Sequence, residues 1–126
     1  MQQNTPIHAP LSPSQSAPLW RLLQATAAAV QATRQGRSLT AQLESVTAEL
    51  RPGVQALSFQ VMRQLGRAIA LRALLAKKAP PPAADALLCT ALALVWDEHA
   101  APYPVHTLVN QVVEAAQQQR QTRPQS

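Results

Sequence analysis

The stretch Ala83-Ala-Asp-Ala-Leu-Leu-Cys-Thr-Ala-Leu-Ala-Leu-Val-Trp96 decides the fold. Ala and Leu favour helix, and Leu87, Leu88, Leu92, Leu94 and Val95 lie all round such a helix rather than on one stripe. A helix that is apolar on every side must be surrounded, so this one is expected at the buried centre of a bundle. It is far short of the ~20 apolar residues a membrane span needs. Asp85, Asp97 and Glu98 bracket it.

Working outward, the flanking segments carry the one-sided pattern of helices that pack on a centre. Leu19, Leu22, Leu23, Ala27 and Val30 recur at three- and four-residue steps, predicting a helix to about Gln35 with Gly36 as its C-terminal cap. Ser38 or Thr40 can cap a short second helix whose stripe is Leu39, Leu43, Val46 and Leu50. Pro52 and Gly53 interrupt the chain. A third helix then carries Val54, Leu57, Val61, Met62 and Leu65, with Gly66 as its break. A fourth carries Ile69, Leu71, Leu74 and Leu75 and stops at Ala79, before Pro80, Pro81 and Pro82. Beyond the central helix, a loop with Pro102 and Pro104 leads to a sixth, marked by Val105, Leu108, Val109, Val112, Val113 and Ala116.

The expected architecture is all-α, a compact bundle of five to six short helices over residues 18–117. Residues 1–17, rich in Pro, Gln and Ser, read as a flexible tail, and residues 118–126 as a frayed end. With 126 residues, 47% of them hydrophobic, the chain suffices for one modest core. Three glycines leave no Gly-rich phosphate loop, which excludes Rossmann and P-loop sites, and all-β folds are excluded with them. No signal peptide is legible at the N-terminus, and a lone Cys suits a reducing, cytoplasmic setting.

Catalytic readings fail on residue inventory. His8, His99 and His106 have neither metal-ligand spacing nor a cysteine near them in sequence, so no metal site is expected. Cys89 falls in the most apolar helix, where a thiol acts as a small hydrophobe with a raised pKa. Asp97 and Glu98 are adjacent, so they point apart and form no acid–base pair.

Charge says more. Eleven Lys and Arg against six Asp and Glu give +5. Arg51, Arg63, Arg67, Arg72, Lys77 and Lys78 follow one another with no acid from Arg51 through Ala84. A run of one sign across two helices makes a positive surface suited to phosphates, although the same charges can serve solubility or meet helix C-termini. Phe59 fits the core spacing, and Trp20, Trp96 and Tyr103 are expected to pack there too. No platform for stacking bases is therefore expected.

Three segments carry a resemblance. Pro18-Leu-Trp-Arg-Leu-Leu-Gln-Ala-Thr runs on to Gly36-Arg-Ser-Leu-Thr-Ala-Gln-Leu43. Leu57-Ser-Phe-Gln-Val-Met-Arg63 follows, and then Pro104-Val-His-Thr-Leu-Val-Asn-Gln-Val-Val-Glu-Ala-Ala116. In order and spacing the chain resembles the NusB-like RNA-binding domain that opens bacterial 16S rRNA cytosine-5 methyltransferases of the RsmB type. Gln111 stands where that family usually has Glu. Of the arginines at the start of its first helix only Arg21 is present, and the family's last helix has no counterpart before Ser126.

The resemblance implies a non-catalytic domain fragment that binds RNA, 16S rRNA above all. A methyltransferase domain absent from this chain would supply the cysteine pair and take S-adenosylmethionine. No cofactor is expected in the chain itself, nor a membrane or DNA partner. The candidate RNA-binding residues are Arg21, Arg63, Arg67, Arg72, Lys77 and Lys78. Two alternatives stand beside this reading: a helical protein–protein interaction module, with an apolar face left open by the missing helix, and a free-standing antitermination factor of the NusB type.

Overall fold

The computed structural model describes residues 17–96 and 103–122. These form an all-α bundle of five helices: α1 (Leu19–Arg34), α2 (Leu39–Glu44), α3 (Arg51–Leu75), α4 (Pro82–Trp96) and α5 (Val105–Thr122). Residues 1–16 of the expected tail, the acidic pair Asp97 and Glu98, and His8 and His99 lie outside the described residues.

The helix read as central is central. α4 packs against α3, α1 and α5, and buries Ala86, Leu87, Cys89, Thr90, Ala93 and Leu94. Leu23, Ala27 and Val30 of α1 meet them, as do Leu57, Val61 and Ala68 of α3 and Leu108 and Ala115 of α5. A second, smaller cluster of Leu43, Leu50 and Val54 holds α2 beneath the start of α3. Leu22 packs against both clusters and joins them. Among the described residues, no helix is long and apolar enough to cross a membrane.

The predicted third and fourth helices are one. α3 runs unbroken through Gly66 for 25 residues. A glycine inside a helix costs ~1 kcal/mol relative to Ala. Burial of the stripe on both sides of Gly66 outweighs that. Pro52 does not interrupt the chain either, because it lies in the first turn, where its missing N–H would have no acceptor within the helix. Gly53 marks a close approach of α3 to α1: a Cβ there would sit 2.9 Å from Leu22 Cδ2. α5 also outruns its expected end at Gln117 and stays helical to Thr122.

The caps follow the local chemistry. Gly36 takes φ 97°, a left-handed turn that any side chain would strain, and ends α1. Ser38 Oγ accepts from the Ala41 amide at 3.3 Å and starts α2. α1 begins at Pro18 without a side-chain cap, and its orphan donor finds a tertiary partner: the Trp20 amide donates to Gln111 Oε1 of α5 at 3.0 Å. Gln24 Nε2 adds a bond to the Ala115 carbonyl at 3.0 Å. Gln111 therefore ties α5 to the start of α1 through its side-chain oxygen.

Candidate nucleic-acid interface

Helical phase sorts the basic residues of α3. At ~3.6 residues per turn, Phe59, Arg63 and Arg67 fall four apart on one stripe. Arg72 lies nine residues past Arg63, about two and a half turns on, and so points the opposite way. Leu57, Val61 and Ala68 are buried, which identifies the core side; Phe59, Arg63 and Arg67 face solvent.

Arg72 is thus removed from the positive surface that the charge run predicted. Its Nε lies 2.9 Å from Asp85 Oδ1 of α4, and each of the two side chains is only 13% exposed. The contact is an ion pair rather than an aligned hydrogen bond. Its Nη1 donates to the carbonyl of Ala76 at 3.0 Å, closing the C-terminal end of α3. Arg34 of α1 approaches the same carboxylate, with Nη1 3.8 Å from Asp85 Oδ2. Cys89 Sγ sits 3.8 Å from Asp85 Oδ1 and 3.9 Å from Arg34 Nη1. Burial, and then the Asp85 charge, push the Cys89 thiol above its ordinary value against the opposing pull of Arg34 and Arg72. The thiol stays protonated and packed, as its place in the sequence suggested. This cluster pins α1, α3 and α4 together.

The other candidates separate. Arg63 is exposed, and its Nη2 donates to Gln60 Oε1 at 3.2 Å. Arg67 is exposed and places its guanidinium carbon 5.5 Å from the centre of the Trp96 ring, within cation–π range. Lys77 and Lys78 are exposed in the connection between α3 and α4. Arg21 stands apart at the start of α1, 3.7 Å from Glu49, both side chains 40% exposed. It borders a groove of about 210 Å³ whose walls include Ala25, Val46 and Leu50. Arg51 is occupied locally: its Nη2 donates to the carbonyls of Val46 at 2.8 Å and Glu44 at 3.3 Å.

Two aromatic residues contradict their expected burial. Phe59 is 47% exposed and Trp96 is 45% exposed, whereas Trp20 and Tyr103 do pack against the main core. Phe59 lies only two residues from the buried Leu57, and two residues turn a helix by more than half a circle. Trp96 ends α4, past the last buried residue, Leu94. Leu74 and Leu75 are also exposed, as are Val105, Val109 and Val113, four apart along α5. His106 is exposed in the first turn of α5. Among the described residues, no group of three or more His, Cys, Asp or Glu gathers as metal ligands would.

The chain matches no protein-family model, no curated protein and no solved structure.

Proposed function

We propose that this chain is a non-catalytic RNA-binding module that holds RNA by its phosphates while other groups act on it. On the resemblance, this reading makes the chain the domain of a 16S rRNA cytosine-5 methyltransferase that presents rRNA to the methyl-transferring part. One observation carries the reading. Arg63 and Arg67 on the outer stripe of α3, with Lys77 and Lys78 beyond its end, are exposed along a segment that contains no acid from Arg51 through Ala84. Arginine forks and lysine ammoniums on such a surface suit phosphate, and binding of that kind releases counterions.

The test is RNA affinity as a function of salt, measured for the natural chain and for an Arg63→Glu, Arg67→Glu variant. Affinity should fall steeply with salt for the natural chain. The variant should bind more weakly and lose ~0.7 of slope per lost contact on a single strand. Binding that ignores salt, or an unchanged slope in a folded variant, would show these charges to be a solvated face.

A second reading has its own observation. Val105, Val109 and Val113 form an exposed apolar stripe on α5, the kind of surface that a helical protein partner covers. Replacing Val109 with Asp should leave RNA binding alone under the first reading and abolish partner binding under the second.

A further inference from the structure

The outer stripe of α3 holds more than charge. Phe59, Arg63 and Arg67 succeed one another at four-residue steps, spanning ~12 Å of helix axis. α4 returns antiparallel to α3 after the short connection at residues 76–81, and brings Trp96 back beside Arg67. Two half-exposed rings thereby flank two arginines on one face. Neither ring belongs to the core, and leaving such area in water forfeits the burial that normally holds an aromatic residue inside.

Single-stranded nucleic acid is the ligand that matches this combination. A strand presents a phosphate to each cation and an unpaired base to each ring; a duplex hides its base faces. Helix positions four apart are ~6 Å apart along the axis, so a strand laid along α3 would meet these side chains one after another. Arg67 already lies over part of the Trp96 ring, so a base stacked there would extend an existing cation–aromatic contact. An apolar protein partner accounts less well for the two arginines between the rings.

We propose that Phe59, Arg63, Arg67 and Trp96 form a platform for single-stranded RNA, with bases stacked on the two rings and phosphates held by the two arginines. The proposal rests on the RNA-binding reading and specifies its ligand as unpaired, stacking nucleotides.

The experiment compares an adenosine octaribonucleotide, an abasic ribose-phosphate octamer of equal charge and a short RNA duplex. Each is end-labelled and titrated into the full chain by fluorescence anisotropy. The adenosine octamer should bind at least about tenfold more tightly than the abasic one, because each stacked base adds to the shared phosphate attraction. Phe59→Ala and Trp96→Ala should each remove several-fold of that preference and leave abasic binding unchanged, with helical circular dichroism retained. Arg63→Glu should weaken all three ligands.

A second readout uses Trp20→Phe, which leaves Trp96 as the sole tryptophan of a chain that has two. Its fluorescence should be quenched by the adenosine octamer and not by the abasic one. Equal binding of the adenosine and abasic octamers, with Trp96→Ala silent, overturns the platform while phosphate binding stands. Preference for the duplex overturns it in the same way. If none of the three binds at low salt, the RNA-binding reading falls and the platform with it.

Discussion

Arg72 and the pair Arg63 and Arg67 sit on one helix, a few turns apart, and meet opposite fates. Arg72 is drawn between α3 and α4, against Asp85, with Arg34 arriving at the same carboxylate from α1. Arg63 and Arg67 reach into solvent, one toward Gln60 and the other over Trp96. Residue type does not distinguish them; helical phase does. A cation on the inner face must find its counter-charge within the protein, whereas one on the outer face remains available to a ligand.

The strongest way to break this contrast is Asp85→Ala. It would leave two guanidiniums near the core without their shared partner. Removing one side of a buried pair costs ~3–5 kcal/mol, and the part of this pair still open to water favours the low end. A urea unfolding curve would measure it. The double variant Asp85→Leu, Arg72→Met should recover most of the loss, since apolar replacement of a whole pair is often neutral. If Asp85→Ala unfolds like the natural chain, the inward cluster does not hold the helices.

Gly66→Ala tests the continuity on which the phase argument depends. A Cβ at Gly66 would meet nothing within 4 Å. With α3 continuous, alanine should stabilise by ~0.5–1 kcal/mol through helix propensity and a less flexible unfolded chain. A destabilised variant would mean that the helix needs its glycine, and the common register of Arg63 and Arg72 would be lost. A smaller change is expected from Arg63→Glu: within ~0.5 kcal/mol of the natural stability, as for surface substitutions generally. A larger loss would place Arg63 in the same structural category as Arg72.

The smallest effect concerns Cys89 and appears only at alkaline pH. Its folded-state pKa is raised, so the neutral thiol supports the fold fully below its ordinary value of 9.0. That contribution is lost as pH rises through the folded-state value, because the unfolded chain ionises first. The urea midpoint of Cys89→Ala should therefore decline less between pH 8 and pH 11 than that of the natural chain. Parallel declines would show that burial does not hold the thiol neutral.

Much of the bundle was legible because apolar spacing survives without tertiary information. The unrelieved run from Ala83 to Trp96 marked the centre, and Ser38 and Gly36 marked caps that the structure contains. The candidate interface was harder to see. Reading Gly66 as a break discarded the phase between Arg63 and Arg72, so an inner arginine was counted with the outer ones. Phe59 was legible without that continuity: it lies two residues from both Leu57 and Val61, ahead of Gly66, and two residues turn a helix past half a circle to the outer face. Trp96 could not be placed by period at all, since it ends a helix that is apolar all round. The partnership of Arg34, Arg72 and Asp85 spans three helices, and no local pattern announces it.

The two clusters that share α3 have a consequence for how the molecule opens. α3 contributes Val54 to the small cluster and Leu57, Val61 and Ala68 to the large one, so its middle cannot unwind without disrupting the main core. α2, six residues long, rests on the small cluster alone. Its amides should exchange with solvent deuterium through a local opening that releases Leu43, long before those of α3 and α4 exchange through global unfolding. Hydrogen exchange should thus divide the domain into a slow unit of α1, α3, α4 and α5 and a fast flap formed by α2.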